Sequence, residues 1–313
     1  MPNARAEAFA PATIANLGVG FDILGLAIEE PGDIVLVELQ AEPGVVVRTI
    51  DGDDGRLPYD PEKNTAAVAA RSFLKQIDAK QGVAITLHKN LPLASGLGSS
   101  AASAVAAAVA ANALFDEPLR REDLLPACLD GEAAVSGYHA DNVGPSLLGG
   151  ITLITGTDAN HIRHLPMPDD LYLALITPDV AVPTAEARAV LPKAVSLRQM
   201  IAQTGAVARL VDSLYRGDLE ALAAAMESDG VVEPARLHLM PLLHEVRVAA
   251  KRSGGLGVVI SGAGPTLCAV CDQEARSKHV AVAMKAVYDE AGIRSVARNA
   301  KVSKEGARVL SVE

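Results

Sequence analysis

The loop P-L-A-S-G-L-G-S-S-A-A at residues 92–102 limits the possible folds of this chain more than any other segment. It follows a Val- and Ile-rich segment at 82–88, typical of a strand, and it opens a run of Ala and Val at 99–115. So many small apolar residues predict a helix that is buried on most of its faces. Gly96 and Gly98 let the backbone turn tightly and approach a ligand, and the N-terminus of a helix favours an anion. The segment therefore predicts a phosphate-binding loop.

The loop contains two serines that are suitable Mg²⁺ ligands. It also has to be distinguished from two other nucleotide-binding motifs. The hydroxyls of Ser99 and Ser100 suit hydrogen bonding or Mg²⁺, which prefers hard oxygen ligands. The loop also fits the dinucleotide-binding pattern G-x-G-x-x-A, but Asp116 directly follows the helix instead of ending a second parallel strand. A nucleotide-binding P-loop is disfavoured because no Gly-Lys-Ser/Thr is present. A Gly-rich helix cap without a ligand remains an alternative for this motif taken alone.

Two further loops carry polar residues among apolar ones. The segment A-P-A-T-I-A-N-L-G-V-G-F-D at 10–22 predicts an irregular loop that contains Asn16 and Asp22. Taken alone, it also fits a turn whose Asn and Asp bond their own backbone. The segment S-G-A-G-P-T at 261–266 joins two predicted strands, and a plain hairpin turn explains it as well as a ligand contact does.

A fourth cluster combines Glu132 with G-Y-H-A-D-N-V-G-P-S-L-L-G-G at 137–150. Glu132 lies within a predicted helix among Ala and Val, where an unpaired carboxylate is costly, so it should have a cation or a donor as partner. A surface position without a role is the alternative. His139 alone is more typical of a structural histidine, and Asp141 and Asn142 also suit helix capping.

Composition excludes several classes of partner. The chain has 28 Lys plus Arg against 38 Asp plus Glu, a formal charge of −10, which repels a nucleic-acid backbone or an anionic membrane. With four Phe, five Tyr and no Trp, aromatic stacking on bases is poorly supported. No segment has the roughly 20 apolar residues that a membrane span needs. Three scattered cysteines do not form a disulfide framework, which predicts a reducing cytoplasm. The C-x-x-C at 268–271 has no second pair to complete a zinc site.

The order of predicted elements indicates an α+β fold. Strands are predicted at 33–39, 44–50, 82–88, 150–155, 171–177, 257–261, 266–271 and 293–297. Helices are predicted at 62–80, 99–115, 121–136, 274–291 and, with breaks, from the end of the 171–177 strand to about residue 253. Strands and helices are mixed instead of strictly alternating, which favours α+β layers over a doubly wound sheet. A length of 313 residues favours two domains, and the Pro-containing stretch at 164–170 is the candidate linker.

Together these loops resemble the small-molecule kinases that include galactokinase, homoserine kinase, mevalonate kinase and phosphomevalonate kinase. The resemblance rests on the order of three motifs, P-A-T-I-A-N-L-G-V-G-F-D, P-L-A-S-G-L-G-S-S-A-A and S-G-A-G-P-T. H-A-D-N-V at 139–143, V-P-T-A-E-A-R at 182–188 and E-P-A-R at 233–236 are similar to the members that act on homoserine. Ile14 and Val19 stand where Ser and Pro are common. The resemblance covers nearly the whole chain.

The resemblance implies a fold, an activity and a set of ligands. It implies an N-terminal ATP-binding domain at 1–165, like domain 2 of ribosomal protein S5, and a ferredoxin-like C-terminal domain at 166–313. The implied reaction is ATP- and Mg²⁺-dependent phosphorylation of L-homoserine to O-phospho-L-homoserine in threonine biosynthesis. The implied protein is a cytoplasmic homodimer without a nucleic-acid or membrane partner. Alternatives are a kinase for another small alcohol such as mevalonate, a non-catalytic nucleotide or metabolite sensor, and, more distantly, a dinucleotide-dependent oxidoreductase.

The resemblance also assigns residues. For ATP it implies Asn64, Lys89, Pro92, Leu93, Ala94, Ser95, Gly96, Leu97, Gly98, Ser99, Ser100, Ala101 and Ala102. For Mg²⁺ it implies Ser100, with Ser99 second, and Glu132. For homoserine it implies Asn16, Asp22, His139, Thr184, Arg188, Arg236 and Gly262. The expected catalytic set is Asn16, Asp22, Glu132, His139, Asp141, Asn142 and Arg236.

The chemistry of homoserine agrees with these assignments. A zwitterion with a primary hydroxyl needs a bidentate cation for its carboxylate, which suits Arg188 and Arg236. Asp22 suits the ammonium group and Asn16 the hydroxyl. Phosphoryl transfer depends mainly on positioning and charge neutralisation, so a strong general base is not obligatory. An Asp base as in the mevalonate type would fall near Asp141, and direct in-line attack with Asn142 and His139 as orienting groups stays open beside it.

Overall fold

A computed structural model describes residues 4–313 and has two β-sheets with helices packed on them. The strands are β1 (Arg5–Ala15), β2 (Leu24–Gln40), β3 (Val45–Asp51), β4 (Gly82–His88), β5 (Ile151–Ile154), β6 (Ile162–Leu165), β7 (Tyr172–Pro178), β8 (Gly257–Ile260), β9 (Leu267–Cys271), β10 (Ser295–Lys301) and β11 (Arg308–Val312). The helices are α1 (Thr65–Gln76), α2 (Ser99–Leu114), α3 (Leu125–Ala133), α4 (Ala140–Leu148), α5 (Thr184–Ala189), α6 (Leu197–Arg216), α7 (Leu219–Met226), α8 (Val232–Arg236), α9 (Leu243–Arg252) and α10 (Glu274–Glu290). The expected α+β class is confirmed.

The first sheet has the order β11-β1-β2-β4-β3, and β5 pairs with both β2 and β6. All of its pairs are antiparallel except β3 with β4. The residues of α2 are buried along nearly the whole helix, as its Ala and Val content predicts. Because these side chains are small, α2 packs closely on β1, β2 and the neighbouring helices. This fixes the first turn of α2 relative to the sheet.

The second sheet has the order β10-β7-β9-β8, all antiparallel. Along β7, Leu173 and Leu175 join the core of the first sheet, whereas Ala174 and Ile176 face a second core with α9 and α10. A strand buried on both faces reads as a continuous apolar run, which is the pattern of this segment. The β8–β9 connection at 261–266 is a hairpin, and it lies against the loop that precedes α2.

Three strands, β1, β6 and β11, were not predicted from the sequence, and β6 includes the first two residues of the candidate linker at 164–170. Residues 10–15 form the end of β1, although the motif at 10–22 predicted an irregular loop; the loop begins only at Asn16. The prediction was wrong because the Pro lies at a register shift between Pro11 and Thr13, where a missing N–H is tolerated. In addition, β11 pairs with β1, so the end of the chain returns to the first sheet. No local pattern predicted that pairing.

Two smaller expectations concern membranes and cysteines. Among residues 4–313, the structure has no helix with the length and apolar character that crossing a bilayer requires. Cys128, Cys268 and Cys271 are free and buried, and the last two lie on β9 as small core residues. Burial raises the pKa of the Cys271 thiol to about 12.

Candidate active site

A cavity of about 330 Å³ lies where the two halves of the chain meet. It lies beside the loop before α2, the start of α4, α5, the end of α8 and the β8–β9 hairpin. The structure brings together these residues of the expected site along its walls: Asn16, Asp22, Lys89, Leu93, Ala94, Ser95, Gly96, Gly98, Ser99, Ser100, Glu132, His139, Asp141, Asn142, Thr184, Arg188, Arg236 and Gly262.

The glycines of the loop have left-handed backbone conformations and close neighbours. Gly96 has φ +81° and Gly98 has φ +65°, a region that side chains rarely tolerate. A Cβ on Gly96 would lie 2.3 Å from the Ser261 carbonyl oxygen, and one on Gly98 would lie 2.0 Å from Thr13 Oγ1. Only glycine therefore lets the loop pass between the hairpin and β1.

The N-terminus of α2 opens toward this cavity without a side-chain cap. Gly98 is the N-cap residue and contributes no side-chain hydrogen bond, so the first N–H groups of the helix are available to a ligand. The Ser99 hydroxyl donates a 3.4 Å hydrogen bond to the Leu91 carbonyl oxygen. Ser99 and Ser100 both line the cavity, and Ser100 lies close enough to Glu132 to favour the ionised form of that carboxyl.

Glu132 is a buried carboxylate with an oxygen available. It is 4% exposed near the end of α3. Ser136 Oγ donates to its Oε1, and its Oε2 has no hydrogen-bond partner among the described residues. Burial raises the pKa of Glu132, and the hydrogen bond from Ser136, followed by smaller effects of Ser100 and Lys89, offsets this only in part. A buried oxygen of this kind is suited to a cation.

Lys89 lines the cavity, and its ammonium group is bound to acceptors in the protein interior. Its side chain is 1% exposed, and its ammonium donates to Asp33 Oδ2, to the Ser99 carbonyl oxygen at 2.6 Å and to Ser103 Oγ at 2.9 Å. These acceptors match the three N–H groups of the ammonium. Burial lowers the pKa of Lys89, and Asp33 opposes that effect. The lysine therefore anchors the first turn of α2 to β2.

On the other side of the cavity, Arg188 and Asp22 form a bidentate ion pair. Arg188 Nη1 lies 3.0 Å from Asp22 Oδ2, and Arg188 Nη2 lies 2.7 Å from Oδ1. His139 Nδ1 is 3.6 Å from Asp22 Oδ2. Burial, and then Arg188, lower the pKa of His139, which favours its neutral form. The two residues expected to bind opposite ends of a zwitterion thus bind each other in this structure.

Within residues 4–313, Arg236 has no such carboxylate partner. The residue is 2% exposed, and its guanidinium donates to two carbonyl oxygens, Ala187 at 3.0 Å and Gly262 at 2.9 Å. Burial, and then the nearby Arg188, lower the pKa of Arg236 to about 10, so it stays charged at neutral pH. The Gly262 carbonyl oxygen also accepts a 2.9 Å hydrogen bond from Asn16 Nδ2. Arg236 is therefore suited to an anionic group of a ligand.

Asp141 and Asn142 lie together at the start of α4. Asp141 is buried, its Oδ1 has no partner among the described residues, and burial with the nearby Asp22 raises its pKa to about 7. Asn142 Oδ1 accepts a 2.7 Å hydrogen bond from Thr13 Oγ1, which leaves the Nδ2 group for the cavity. The pair offers one proton acceptor and one donor to a reacting group.

Five of the expected residues lie outside this wall. Asn64 caps α1, where its Oδ1 accepts from the backbone of Ala66 and Ala67. Pro92 lines a neighbouring cavity instead. The other three, Leu97, Ala101 and Ala102, are buried in the hydrophobic core.

Among the residues near the cavity that sequence reasoning missed, Phe21, Thr13 and Ser136 make specific contacts with the expected site residues. Phe21 has the guanidinium carbons of both Arg188 and Arg236 at 5.3 Å from its ring centroid, close enough for cation–π contact. Its position beside Asp22 in a chain with few aromatics was the available signal. Thr13 and Ser136 carried no such signal. Thr13 acts through a hydrogen bond to Asn142, which is distant in sequence, and Ser136 acts through a hydrogen bond to Glu132, four residues earlier.

The residues present fit a nucleoside triphosphate with a divalent cation. The uncapped helix N-terminus and the glycine turns match an anion, and the orphaned Glu132 oxygen beside Ser100 matches a hard cation. Both features lie on one cavity. The fit therefore rests on atoms of this chain.

Comparison with known proteins agrees with this geometry. The family model described as GHMP kinases N terminal domain matches residues 64–150, and the one described as GHMP kinases C terminal matches 210–290. A homoserine kinase of Chloroherpeton thalassium is 39% identical over 96% of this chain and 98% of its own length. One from Halorubrum lacusprofundi is 42% identical with the same coverage. The crystal structure of homoserine kinase from Cytophaga hutchinsonii superposes with a TM-score of 0.94 at 42% identity, covering 98% of this chain and 97% of that one. The chain therefore belongs to the GHMP kinase family.

Proposed function

We propose that this chain transfers the γ-phosphoryl group of ATP to the hydroxyl of L-homoserine, giving O-phospho-L-homoserine and ADP for threonine synthesis. The observation that carries the proposal is one cavity that combines an uncapped helix N-terminus and a free Glu132 oxygen with a buried Arg236 lacking a carboxylate partner. Similar proteins over nearly the full length are named homoserine kinase, which supports the same substrate.

The phosphates of ATP are held by the loop at 92–102 and the first turn of α2, and Mg²⁺ by Ser100 and Glu132. When bound, Mg²⁺ neutralises charge on the phosphates. Lys89 holds the loop in place through the Ser99 carbonyl oxygen. Ser136 orients Glu132 by donating to Oε1, which leaves Oε2 for the metal.

Homoserine is bound by its charged groups. Arg236 takes the carboxylate, and Asp22 takes the ammonium group with the lone pairs that Arg188 does not use. His139 and Thr184 complete this end of the cavity. A site with cations and carboxylates side by side suits an amino acid better than mevalonate, which has no ammonium group.

The hydroxyl of homoserine lies at the Asp141 and Asn142 end. Asp141 accepts the hydroxyl proton on Oδ1, which its pKa of about 7 allows near neutrality. Asn142 Nδ2 donates to the transferring phosphoryl group, because Thr13 occupies the amide oxygen. The burial of these groups strengthens both interactions.

The finer organisation belongs to the same proposal. The N-terminal domain, residues 1–165, is like domain 2 of ribosomal protein S5, and the C-terminal domain, residues 166–313, is ferredoxin-like, with β11 returning to the first sheet. The chain works in the cytoplasm, which its free cysteines support. It forms a homodimer, supported by the exposed apolar Leu197, Met200 and Ile201 on α6.

An acceptor panel tests the activity. ADP release is measured with Mg-ATP and L-homoserine, mevalonate, galactose or no acceptor. We expect release only with homoserine. ADP release with mevalonate alone would assign mevalonate as the substrate in place of homoserine. Nucleotide binding without ADP release in any of the reactions would indicate a nucleotide sensor.

A further inference from the structure

Buried polar side-chain atoms without a hydrogen-bond partner fall into two groups in the part of the chain that the structure describes. Three of them, Oε2 of Glu132, Oδ1 of Asp141 and Nε of Arg188, belong to residues that line the 330 Å³ cavity of the candidate active site, called the active cavity below. The other two are Oγ of Ser295 and Nη1 of Arg298, both on β10. Buried polar atoms nearly always have partners, so a second pair outside the active cavity needs an explanation.

Ser295 and Arg298 line the same second cavity, whose volume is about 720 Å³. One wall comes from the loop before α2, including Leu93 and Ser95, and the other from the end of β7, α10 and β10. Leu93 and Ser95 also line the active cavity. A ligand in the second cavity would therefore touch both halves of the chain and the phosphate-binding loop.

The charges around this cavity leave one cation uncompensated. The other basic side chains on its wall each have a carboxylate at ion-pair distance: Lys89 with Asp33, Arg56 with Asp54, Lys285 with Asp289 and Arg294 with Asp179. Arg298 forms no ion pair among the described residues, and burial lowers its pKa without any neighbouring acid to oppose the change. A guanidinium keeps its proton, so it can be satisfied only by an acceptor.

We propose that the second cavity binds the oxyanion group of a small metabolite, a carboxylate or a phosphoryl group, through the Arg298 guanidinium. An oxyanion offers several acceptor lone pairs and a negative charge, which matches a buried guanidinium that has no ion-pair partner among the described residues. Ser295 lies three positions away along β10, on the other face of the strand, so its hydroxyl is not part of the proposed site. The cavity is larger than a bare ion needs, so the rest of a metabolite has room beside the phosphate-binding loop.

The test is calorimetric titration of the full chain with inorganic phosphate and, separately, with acetate at constant ionic strength. Inorganic phosphate is also expected to bind at the phosphate-binding loop. The quantity compared is therefore the number of binding sites in the wild type and in Arg298→Gln. We expect Arg298→Gln to lose one site and Ser295→Ala, which alters the other face of β10, to keep it. Arg294→Gln, which alters a paired arginine of the same cavity, should keep it.

Each result bears on the proposal. If Arg298→Gln loses a site in the phosphate titration, the natural ligand carries a phosphoryl group. If it loses a site in the acetate titration, the natural ligand carries a carboxylate. Equal titrations of wild type and Arg298→Gln with both anions overturn the site, as does an equal loss in Arg294→Gln. Without anion, Arg298→Gln should melt no lower than wild type, because it removes an unpaired charge, so a lost site cannot be ascribed to loss of the fold.

Discussion

Thr13 Oγ1 donates a 2.7 Å hydrogen bond to Asn142 Oδ1, although the two residues are 129 positions apart. The bond fixes which end of the Asn142 amide faces the cavity. Thr13 itself is fully buried, and its backbone N–H donates to the Leu97 carbonyl oxygen at 3.1 Å. The same residue thus holds both the loop before α2 and the start of α4.

The first prediction removes this hydroxyl. Thr13→Val should lower kcat by roughly 10- to 100-fold, because Asn142 loses its fixed orientation. The KM values for homoserine and ATP should change little, and Thr13→Ser should restore turnover. Steady-state kinetics and a cycle with Asn142→Ala check this. Additive effects of Thr13→Val and Asn142→Ala would show that the bond has no part in catalysis.

The second prediction concerns the metal. Glu132→Gln should reduce turnover at saturating Mg²⁺ by roughly two orders of magnitude, since a metal ligand and its charge are lost. It should also weaken Mn²⁺ binding in the presence of ADP, measured by electron paramagnetic resonance. Glu122→Gln, at an exposed carboxylate, is the control. Unchanged Mn²⁺ affinity in Glu132→Gln would remove this residue from the metal site.

The third prediction uses the pKa of Asp141, raised from 3.8 to about 7 in the folded chain. Because the folded chain disfavours ionisation of Asp141, the free energy of unfolding should fall as pH rises from about 4 to about 7. Above about pH 7 the whole destabilisation is present. Asp141→Asn should therefore raise the thermal midpoint at pH 8 by several degrees, on the order of 5 °C, and have little effect at pH 4. Melting curves across pH check this, with exposed Asp212→Asn as the control.

The same variant tests catalysis. The kcat/KM of the wild type should rise with an apparent pKa near 7 as Asp141 ionises. In Asp141→Asn that limb should disappear and activity should be strongly reduced. A variant that keeps the wild-type profile would assign the pH dependence to another group.

The fourth prediction separates substrate from nucleotide. Arg236→Ala should raise the KM for homoserine by roughly 10- to 100-fold, the loss expected for a charge-assisted hydrogen bond, and leave the KM for ATP nearly unchanged. Arg216→Ala, an exposed arginine at the end of α6, is the control. Binding of homoserine measured by calorimetry distinguishes this from a catalytic defect. An unchanged homoserine affinity would exclude Arg236 from the site.

The fifth prediction concerns Lys89. Lys89→Met leaves Asp33 buried without its cation, which should lower the free energy of unfolding by about 3–5 kcal/mol. Urea denaturation measures this, with exposed Lys75→Met for comparison. If stability is retained and only the KM for ATP rises, Lys89 contacts the nucleotide instead.

Local composition explains what the sequence predicts well. The strand, glycine turn and small-residue helix around 82–115 follow from neighbouring residues, so their type and order could be read directly. The hairpin at 261–266 is local in the same sense. The strand β11 is different, because its partner β1 lies at the opposite end of the chain.

The side-chain pairs of the site could not be predicted in this way. Arg188 and Asp22 are 166 residues apart, and each was expected to bind substrate separately; their mutual ion pair depends on how α5 packs against the loop after β1. Lys89 has a sequence position consistent with nucleotide contact, yet its partner Asp33 on β2 turns it inward. Residue types indicated the chemistry, and only the packing indicates which groups are already paired.

Hydrogen bonds from Asn16 and Arg236, which are 220 positions apart in the sequence, meet at the carbonyl oxygen of Gly262. No amino-acid substitution removes a backbone oxygen, so a mutational scan of residue 262 probes only its conformation. Selection for a new substrate can act on this junction through Asn16 and Arg236 alone. A changed specificity at this end of the cavity should therefore appear as coupled changes at those two positions.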